Sequence, residues 1–591
     1  MQGRVDKYQR IAGFDPNPMQ RELFDRISPT SENPAILLKS PTGSGKTEAV
    51  LIPSLVSSRR LFLIFPSRSL VEDQIGRCEK YLKSMSKIEP ETFSLVVDTG
   101  GRASRTVFVK GEKQETGRRH LYDGDVIITT FDKFLYRFFG FGEQKKSYIF
   151  PFRIHHSHRR NLFCFDEAHS YDKVAFTNFV RLMKSLYKVN LDLVVMTATM
   201  PEKYQEELDF LDVVDYTTGV KLQKLETARP RCYPNKQIEY RKAKNVRDEI
   251  CAYVFSKHQW CKRTIATIET IEDVVCVYML MKERYNFENL LLYHGRLTDY
   301  QRRKVYCRLK KIEENEGGYL LLTTSAIEVG CDLNAHLLVT ELCNPDQLIQ
   351  RAGRCNRRGD LQDAKVVVVG NQIPHFLRTI SQVDQEQYIQ ELKWRSENGE
   401  VFDAKSLLQF IKREPHHDYR AEMLFEMLYE YVYEARLENK PLHDRGLVVT
   451  RSFEPSVTLV TKITEEPENP EDYPQNAVSV RLSQCIGKPE DEEFKVYHRF
   501  YNDNDQKFVF KPLDRGGCVY FKDLFVLVPE DKEYYSQDIG YVKPPIVFEN
   551  RGSRGYQRSF VYRTKDEAGK DKQIWLHYLR DLEEENDSTG D

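Results

Sequence analysis

The feature that most constrains the fold of this chain is one short segment, Ser40-Pro41-Thr42-Gly43-Ser44-Gly45-Lys46-Thr47. It follows an apolar run at residues 35–38 and precedes a stretch with helical character. Where a strand turns sharply into a helix, several backbone N–H groups are unpaired, and together with the helix dipole they form a cradle for phosphate oxygens. The segment therefore predicts a phosphate loop that binds a nucleoside triphosphate.

The residue types in this segment suit that chemistry. Gly43 and Gly45 let the backbone approach the phosphates, Lys46 reaches the outer phosphates, and the Thr47 hydroxyl is suited to ligating Mg²⁺. The strict pattern begins with Gly where this chain has Ser40, and a Gly-rich turn that binds nothing is the alternative interpretation. The nucleotide-binding residues predicted here are Pro41, Thr42, Gly43, Ser44, Gly45, Lys46 and Thr47.

A second apolar run, residues 161–165, ends in Asp166-Glu167-Ala168-His169. A parallel strand delivers its C-terminal carboxylates to the edge of the sheet that carries the phosphate loop, because ligands bind beyond the carboxyl ends of such strands. We predict that Asp166 holds Mg²⁺ through water and that Glu167 orients and deprotonates the attacking water. An acid pair on a surface is usually only solvated, but this pair ends an apolar strand downstream of a phosphate loop.

Length and composition indicate a soluble protein of several domains. At 591 residues and 69.5 kDa the chain exceeds the size of a single hydrophobic core. Apolar residues make up 40% and charged residues 30%, and no run of eighteen apolar residues and no apolar signal core is present. We therefore expect a cytoplasmic protein with no membrane partner.

Cysteine spacing and net charge exclude two further interpretations. The twelve cysteines include no Cys-x-x-Cys pair, so no zinc site or iron–sulfur cluster is indicated, and the evenly spaced Cys331, Cys343 and Cys355 are expected to be reduced and buried. The formal net charge of −1 means that any binding of nucleic acid must depend on local basic patches.

Strand-like and helix-like segments alternate twice along the chain, which predicts two parallel sheets covered on both faces. The first set of strands is expected at residues 61–65, 93–97, 125–130, 162–165 and 191–196, and the second at 264–268, 290–293, 319–323, 337–340 and 366–369. Helical patterning follows at 376–394, 404–412 and 421–437, and then short strand-like runs. The predicted domains are residues 1–225, a linker at 226–236, residues 237–372, a helical region at 373–445, a β-rich domain at 446–580 and an acidic tail at 581–591.

An arginine-rich segment follows the fourth strand of the second set. It includes Gln350, Arg351, Arg354 and Arg357, and three arginines spaced three apart would share one face of a helix. We predict that Arg354 and Arg357 reach across a cleft to the γ-phosphate and that Gln350 lies near the attacking water. A dense arginine cluster otherwise indicates nucleic-acid binding or a solvated helix.

Further nucleotide contacts are predicted outside the phosphate loop. The Gln20 amide offers the donor and acceptor that an adenine edge requires, although a glutamine at a helix start is the plainer interpretation. Asp332 ends the run 323–332 after the third strand of the second set, within reach of a ribose. Threonines at this strand end, and Thr197 and Thr199 in the first set, could line the same edge, but each is more often an ordinary strand cap.

Taken in order, these motifs resemble a superfamily 2 helicase of the DExH type over residues 14–359. Residues 165–172 and 350–359 resemble, more narrowly, the helicase part of the CRISPR-associated type I effector nuclease-helicase. The motifs are Gln20, the phosphate loop, Phe65-Pro66-Ser67-Arg68, Thr129-Thr130, Asp166-Glu167-Ala168-His169, Thr197-Ala198-Thr199, Tyr293-His294-Gly295-Arg296, residues 323–332 and Gln350-Arg351-Ala352-Gly353-Arg354-Cys355-Asn356-Arg357.

This resemblance implies an α/β fold of two tandem RecA-like parallel-sheet domains, followed by a helical and β-rich C-terminal accessory region. It implies a magnesium- and ATP-dependent translocase that runs 3′ to 5′ on single-stranded DNA displaced by a guide-RNA effector complex. It implies that the residues coupling hydrolysis to movement are His169, Thr197 and Thr199. It also implies that the residues contacting nucleic acid are Arg68, Thr99, Gly100, Thr129, Thr130, Thr267, Arg296 and Thr324.

The chain departs from the family in one respect. Family members often carry an N-terminal nuclease domain with His and Asp metal ligands, whereas the helicase motifs begin here at residue 14, so we expect the nuclease to be a separate HD-type subunit. His416, His417 and Asp418 are more simply a Pro-flanked turn than a remnant of that domain. Likewise, His155, His156 and His158 are expected in an exposed basic loop rather than in a metal site.

Two alternatives remain open at the level of sequence. The first is a DExH RNA helicase or a DNA repair helicase outside CRISPR systems, which a comparison of stimulation by DNA and by RNA would begin to separate. The second is a nucleotide-switched binding module that clamps a complex without moving, because motifs determine ATP chemistry better than they determine the substrate.

Overall fold

The computed structural model describes residues 2–27, 33–41, 43–99, 102–116, 122–140, 154, 160–198, 200–228, 236–257, 262–284, 287, 289–328, 331–411, 417–434, 449–452, 454–463, 477–488, 494–502, 507–518, 524–531, 533–554, 557–565 and 570–579. By its internal contacts the chain divides into two units, Met1–Thr267 with Ile327–Ser452 and Ile268–Ala326 with Phe453–Asp591.

The first unit contains a nine-stranded sheet in the order β5-β4-β3-β6-β2-β7-β8-β1-β9. Its strands are β1 Ala35–Lys39, β2 Arg60–Phe65, β3 Phe93–Thr99, β4 Arg102–Val109, β5 Glu112–Thr116, β6 Val126–Thr130, β7 Asn161–Asp166, β8 Asp192–Thr197 and β9 Asp212–Asp215. The helices around it are α1 Gln2–Ala12, α2 Pro18–Arg26, α3 Lys46–Val56, α4 Arg68–Ile88, α5 Phe131–Phe138, α6 Lys173–Lys188, α7 Glu202–Glu206 and α8 Gly219–Ala228.

The central strands of this sheet are buried on both faces. Along β2, Leu61, Leu63 and Phe65 join one core cluster, and the alternate residues Phe62 and Ile64 join the other. Side chains of a strand alternate between its two faces, so a strand covered on both sides is apolar at every position, which is the pattern that these strands show in the sequence. All five strands predicted here are confirmed within one or two residues.

The sequence pattern missed the antiparallel pair β4–β5 and the strand β9. β5 reads Glu-Lys-Gln-Glu-Thr and has no apolar residue, because it forms the edge of the sheet. The predicted linker also began too early, since α8 continues to Ala228 and buries Leu222 and Leu225.

A second parallel sheet comprises six strands. In the first unit β10, β15, β14 and β11 pair in that order, and in the second unit β13 pairs with β12. The strands are β10 Gln237–Arg241, β11 Arg263–Thr267, β12 Leu290–Tyr293, β13 Tyr319–Thr323, β14 Leu337–Glu341 and β15 Lys365–Val369, and the helices are α9 Val246–Lys257, α10 Ile271–Arg284, α11 Asp299–Glu314 and α12 Pro345–Ala352. The prediction of two successive parallel α/β sheets is confirmed.

Helices follow the second sheet, as predicted, but they pack in two places. They are α13 Gln382–Glu397, α14 Ala404–Leu408 and α15 Tyr419–Tyr429, and a π-helical turn at Glu430–Glu434 continues α15. α13 packs on β10 and α14 on α12, whereas α15 packs on α6 of the first sheet. The predicted start of α13 at residue 376 is wrong, because the Ser381 hydroxyl accepts from the backbone N–H of Asp384 and caps the helix there.

Aromatic residues of α15 belong to the core of the first sheet. Phe425 and Leu428 are buried in the cluster that contains Phe138 and Phe139, and the Phe139 and Phe425 rings lie 5.1 Å apart in an edge-to-face arrangement. For these residues, packing in a core accounts for the aromatic composition better than base stacking does.

The C-terminal part of the second unit is β-rich, as predicted. It contains a five-stranded sheet in the order β17-β16-β21-β18-β19, a four-stranded sheet in the order β20-β26-β25-β24 and the hairpin β22–β23. The strands are β16 Ser456–Val460, β17 Val478–Arg481, β18 Lys495–Asn502, β19 Lys507–Pro512, β20 Gly517–Cys518, β21 Leu524–Leu527, β22 Tyr535–Ser536, β23 Gly540–Tyr541, β24 Phe548–Arg554, β25 Gln557–Lys565 and β26 Asp571–Leu579.

The described residues lack two kinds of feature. None of the described helices has both the length and the apolar character that crossing a bilayer requires. No group of three or more His, Cys, Asp or Glu side chains within the described residues is arranged to hold a metal ion. Cys331, Cys343 and Cys355 are buried free thiols, as expected.

Candidate active site

The segment between β1 and α3 has the backbone of a phosphate loop. Gly43 and Gly45 have φ values of 69° and 87°, in the left-handed region that residues other than glycine adopt only with strain. A Cβ on Gly45 would lie 2.5 Å from Gln20 Nε2. The Ser40 hydroxyl donates to Ser44 Oγ at 2.8 Å. Ser40, which stands where the strict pattern has Gly, therefore stabilises the loop.

Two side chains at the start of α2 hold this loop from outside. Asn17 and Gln20 form a capping box, in which each side-chain oxygen accepts from the backbone N–H of the other residue at 3.0 and 2.9 Å. Their amide groups then donate to the loop, Asn17 Nδ2 to the Ser44 carbonyl at 3.0 Å and Gln20 Nε2 to the Gly45 carbonyl at 3.2 Å. Gln20 therefore starts a helix, as the plainer interpretation has it, and also contacts the phosphate loop, whereas its contact with adenine stays a prediction.

The role of Asn17 was not predicted from the sequence. The signal was available, because Asn followed by Pro and, three residues on, by Gln is the pattern of a capping box. Its consequence could not be read from the sequence, since the contact between the Asn17 amide and Ser44 joins residues 27 positions apart.

The structure brings the phosphate loop and the acid pair together. Their strands lie in the order β7-β8-β1, so the segments that follow β1 and β7 emerge at the same edge. Lys46 is buried, and its Nζ donates to the Ser40 carbonyl at 3.2 Å and lies 3.8 Å from Glu167 Oε1. This pairing brings together two segments that are about 120 residues apart in the sequence.

Glu167 is held in an uncommon backbone conformation. Its φ is 52°, and its N–H donates to the Met196 carbonyl at 2.9 Å and to Asp166 Oδ1 at 3.0 Å. Left-handed conformations of residues other than Gly often occur where a side chain must be aimed at a ligand. Glu167 leaves the strand at such a turn, on the Lys46 side of the site.

The environment of Asp166 suits a divalent cation. Burial and the neighbouring Glu167 carboxylate raise the pKa of Asp166, and Lys46 opposes this shift. A bound cation would favour the charged form, and the buried Thr47 at the start of α3 offers a hydroxyl of the type that ligates Mg²⁺. These residues therefore fit magnesium, which would neutralise phosphate charge during hydrolysis.

Residues at the end of β8 complete this edge. Thr197 is buried, and its carbonyl accepts from the Ser40 N–H at 3.1 Å, which ties the Thr-Ala-Thr segment to the phosphate loop. Thr42, Gly100, Thr199, the side chain of His169, and the residues His155, His156, His158 and His416 lie outside the described residues. His417 Nε2 lies 3.0 Å from Glu207 Oε1, and Asp418 caps α15, so neither is placed as a nuclease ligand.

The prediction that three arginines share one helical face is wrong. α12 ends at Ala352, so only Arg351 is helical. The chain leaves the helix because Cys355 pairs with Ala335 in an isolated β-bridge and because the buried Lys236 ammonium donates to the Ala352 and Cys355 carbonyls. A cation bound to the last carbonyls of a helix stabilises its end.

Arg351 is a structural residue. It is wholly buried, and it donates to Glu328 Oε1 through Nε at 2.8 Å and to Thr340 Oγ1 through Nη1 at 2.9 Å. Its Nη2 lies 2.6 Å from the same Glu328 oxygen. Arg351 therefore anchors α12 to β14 and to the segment that follows β13.

Replacing Arg351 with Met should strongly destabilise this part of the chain. The variant removes the charged Arg351 partner from the Glu328 carboxylate, whose side chain is only 10% exposed, and breaking a buried pair typically costs about 3 to 5 kcal/mol. The measurement is the first unfolding transition in guanidinium chloride. The control is the exposed Arg358, whose replacement with Met should change the unfolding free energy by at most about 0.5 kcal/mol. Equal stability of the two variants would contradict the assignment.

Arg354 and Arg357 project from the turn that follows α12. Arg354 donates to the carbonyls of Ile327 and Glu328 at 3.1 and 2.6 Å, and Arg357 pairs with Asp332 at 2.8 Å. Burial and the neighbouring Arg357 lower the pKa of Arg354 to about 10, so the guanidinium stays charged at neutral pH. Gln350 is half-buried on α12.

Charges on α4 reach the same turn. The carboxylate of Asp73 is among the groups that raise the pKa of Arg354 against its burial. Burial lowers the pKa of Arg77, but the carboxylates of Glu48, Asp73 and Asp332 raise it overall, and Arg77 lies 3.6 Å from Glu48 on α3. The turn at residues 353–357, here called the arginine turn, therefore lies within electrostatic reach of α4, and α4 in turn contacts α3 through Arg77 and Glu48.

The threonines predicted to contact nucleic acid lie at strand ends, but their side chains are buried. Thr129 Oγ1 donates to the Asp98 carbonyl at 2.6 Å, and Thr130 Oγ1 accepts from the Lys133 N–H at 3.4 Å as the cap of α5. These contacts match the plainer interpretation of strand and helix capping, and contact with nucleic acid stays a prediction. The set is Thr99, Thr129, Thr130, Thr267 and Thr324.

Arg68 and Arg296 were also predicted to contact nucleic acid. Arg68 is exposed at the start of α4, as a backbone contact requires. Arg296 instead donates to the Val542 carbonyl and, through Nη1 at 2.8 Å, to Glu272 Oε1. Its contacts to the C-terminal part of the chain were invisible in the sequence, since 246 positions separate Arg296 and Val542.

Arg296 belongs to a larger contact within the second unit. Residues 535–542, here called the C-terminal hairpin, pack on the segment 293–301. His294 Nε2 donates to the Ile539 carbonyl at 2.9 Å, because its Nδ1 accepts from the Arg296 N–H, and Gln301 Nε2 donates to the Gln537 carbonyl at 2.8 Å. Burial lowers the pKa of His294 to about 4, so this histidine is neutral at physiological pH.

Family models match two successive parts of the chain. Residues 17–208 match the model of the DEAD/DEAH box helicase, and residues 261–360 match the model described as CRISPR-associated nuclease/helicase Cas3, C-terminal. The first match contains the phosphate loop and the acid pair, and the second contains the arginine turn.

Curated relatives agree with these matches. The chain is 22% identical over 363 residues to a protein of Methanocaldococcus jannaschii named putative CRISPR-associated nuclease/helicase Cas3, which covers 59% of this chain and 47% of that protein. It is 24% identical over 376 residues to the CRISPR-associated helicase Cas3 of Thermoproteus tenax, which covers 60% of each. The match thus spans less than two-thirds of the length of either relative.

Solved structures show a similar fold. The structure of T. fusca Cas3 with ATP has a TM-score of 0.58 at 16% identity and covers 88% of this chain and 69% of that chain. The DUF1998 helicase MrfA bound to DNA and AMPPNP has a TM-score of 0.53 at 14% identity, with coverage of 98% and 79%. At these identities the likeness shows the fold alone, which is that of tandem RecA-like sheets. Together these matches support a Cas3-type helicase, since residues 17–208 match the DEAD/DEAH box helicase model and residues 261–360 match the Cas3 C-terminal model.

Proposed function

We propose that this chain is an ATP-dependent helicase that translocates along single-stranded nucleic acid. The observation that carries the proposal is the distance of 3.8 Å between Lys46 Nζ in the phosphate loop and Glu167 Oε1 in the acid pair. A cation for the outer phosphates and a general base for water, held side by side at the carboxyl edge of a parallel sheet, suit hydrolysis of a nucleoside triphosphate.

In this proposal the phosphates of ATP lie on the backbone N–H groups of the loop, with Gln20 at the adenine and Asp332 at the ribose. Glu167 takes a proton from the attacking water, which Gln350 helps to place, and Thr47 and Asp166 hold Mg²⁺. Arg354 and Arg357 neutralise charge that develops on the γ-phosphate. The interactions of α4 with Arg354 and Asp332 support an approach of the arginine turn to the nucleotide.

Movement would follow from the two states of this cleft. The presence of the γ-phosphate favours a closed arrangement of the two sheets and its loss favours an open one, so hydrolysis cycles between them. Contacts to the sugar-phosphate backbone at the strand ends of each sheet would alternate their hold on the strand. Thr197 ends β8, and we propose that Thr197 couples the two processes together with His169 and Thr199.

For the substrate, we propose single-stranded DNA, traversed 3′ to 5′, with RNA as the less favoured strand. We also propose recruitment by a guide-RNA effector complex and DNA cleavage by a separate HD-type nuclease subunit. The match of residues 261–360 to the Cas3 model supports this choice. A similar solved chain, with a TM-score of 0.53, comes from a structure titled CRISPR RNA-guided surveillance complex, pre-nicking, and the relative from Thermoproteus tenax is named a helicase alone.

Single-stranded oligonucleotides should stimulate ATP hydrolysis by the purified chain, and added salt should reduce the stimulation, because neutralising phosphates releases counterions. The measurement is steady-state phosphate release with DNA and RNA oligonucleotides of equal length and sequence. If neither oligonucleotide stimulates hydrolysis, the proposal of a motor is wrong.

Displacement of streptavidin from biotinylated oligonucleotides tests the direction of translocation and distinguishes a translocase from a clamp. It uses the same protein preparation. A 3′-to-5′ translocase displaces streptavidin from a biotin at the 5′ end of the strand faster than from one at the 3′ end. Stimulated hydrolysis with no displacement from either end would instead support a nucleotide-switched clamp. Preference for the 3′ end would reverse the proposed polarity.

A further inference from the structure

One face of α11 carries a row of exposed basic side chains. Six of the sixteen residues of this helix are Lys or Arg, and four of these are exposed. We call these four the basic stripe: Arg303, Lys304, Arg308 and Lys311. Tyr300, one turn before the stripe, is 57% exposed.

Helical geometry places these residues on one side. They recur at short intervals on the side opposite the buried Leu309 and Glu313. At 1.5 Å per residue, the stripe from Arg303 to Lys311 is about 12 Å long. Arg308 also donates to Asn289 Oδ1 at 3.2 Å, a contact at the edge of the same face.

The helix that presents the stripe is fixed at both ends. Thr298 and Gln301 form a capping box at its start, with the Gln301 N–H donating to Thr298 Oγ1 at 3.2 Å. Near its end Glu313 is buried and accepts from the Tyr319 hydroxyl at 2.9 Å. A helix held in this way presents its charges in a set arrangement, so a ligand need not immobilise the backbone on binding.

We propose that the basic stripe binds the sugar-phosphate backbone of a polynucleotide. The inference rests on the proposed function and adds a contact outside the helicase motifs. In a chain with net charge −1 the stripe is a local excess of positive charge, and no acidic residue occurs between Tyr300 and Lys311. Along one strand of a duplex phosphates follow every 3.4 Å or so, so a row of about 12 Å faces about three of them.

The exposed Tyr300 favours a polynucleotide over an acidic protein. Aromatic rings beside basic side chains stack on bases of any sequence, whereas an acidic protein surface gives such a ring no particular partner. Because the stripe contains only long cations and one ring lies beside it, this surface would read no sequence, which is what translocation along any strand requires.

Cys307 offers a probe that needs no substitution. It lies within the stripe and is exposed, whereas Cys251 and Cys276 are half-buried and lie on other helices. Saturating oligonucleotide should slow alkylation of Cys307 several-fold, read by mass spectrometry of its peptide, and leave Cys251 and Cys276 unchanged as internal controls. Unchanged alkylation of Cys307, with binding verified by fluorescence anisotropy, would overturn the proposal.

The contribution of the positive charges to binding is tested with a quadruple variant that carries Arg303→Gln, Lys304→Gln, Arg308→Gln and Lys311→Gln. The slope of log affinity against log salt should become shallower by about 0.7 for each single-strand phosphate that the variant no longer neutralises, or about 2 for three phosphates. The matched control removes the same charge from four other exposed positions, Lys188, Lys224, Lys257 and Lys393, and should keep the wild-type slope.

The outcomes separate this inference from the proposed function. If no oligonucleotide stimulates the wild-type chain, the proposed function fails. If the wild-type chain is stimulated but the stripe variant keeps its salt slope, only the inference fails. Hydrolysis without oligonucleotide should be equal in all variants. Single-stranded DNA, single-stranded RNA and duplex DNA are compared to identify which strand supplies the phosphates.

Discussion

Glu167→Gln should lower oligonucleotide-stimulated ATP turnover by about 10²- to 10⁴-fold, the usual contribution of a general base. Glutamine has the shape of glutamate but cannot take a proton from water. Glu167 is placed for that role because it follows β7 at a left-handed turn and lies 3.8 Å from Lys46 Nζ. The measurement is phosphate release under saturating ATP and oligonucleotide.

The matched control for this variant is Glu206→Gln, which makes the same chemical change at an exposed position of the same sheet domain. It should leave turnover and thermal stability at wild-type values. Oligonucleotide binding by Glu167→Gln should also persist, because the side chain lies beside the phosphate loop. Turnover near the wild-type rate in Glu167→Gln would remove this residue from the role of base.

Loss of Arg354 should lower turnover by about 10³-fold or more, as for other arginines that neutralise a transferring phosphoryl group. Because its guanidinium also donates to the carbonyls of Ile327 and Glu328, alanine would both remove charge and loosen this segment. Arg354→Gln separates the effects, since an amide can still donate to a carbonyl but has no charge. We expect Arg354→Gln to lose nearly as much turnover as Arg354→Ala.

A residue that acts on the transition state lowers kcat and leaves KM for ATP nearly unchanged. This is the pattern expected for Arg354→Gln, and a rise in KM alone would point to ground-state binding instead. Arg358→Gln, at an exposed position of the same motif, is the control and should retain turnover. Arg354→Gln with wild-type kcat would exclude the arginine from the chemistry.

The parts of the fold that the sequence predicted are those encoded by local patterns. Strands such as β2 and β7 are apolar at nearly every position because both of their faces are buried, and the phosphate loop has glycines where φ is positive. These signals lie within a few residues of the structure they produce. Hence the two parallel sheets, the loop and the acid pair could all be predicted from sequence alone.

The arginine turn could not be predicted in this way. By sequence, residues 345–357 could continue as one helix with its arginines on one face. The helix ends at Ala352 because Lys236, more than a hundred positions earlier, donates to its last carbonyls, and because Cys355 pairs with Ala335. Contacts between distant residues decide this end, and they separate Arg351, which is structural, from Arg354, for which we propose a role in the chemistry.

Buried contacts also explain why residue roles were harder to predict than positions. Thr129 was correctly placed at a strand end, yet its hydroxyl donates to Asp98, whose carboxylate pairs with the buried Arg137 at 3.1 Å. Nothing local to Thr129 indicates this partner. The sequence places a side chain on an edge, but only the folded chain shows whether that side chain faces inward.

The C-terminal hairpin has a mechanical consequence. Within the second unit it accepts hydrogen bonds from His294, Arg296 and Gln301, and a Cβ on Gly540 would lie 2.8 Å from the Arg296 carbonyl. So close a fit leaves little room for sliding between the two surfaces. We therefore expect a displacement of the segment 293–301 to move the hairpin and the β-sheets joined to it as well.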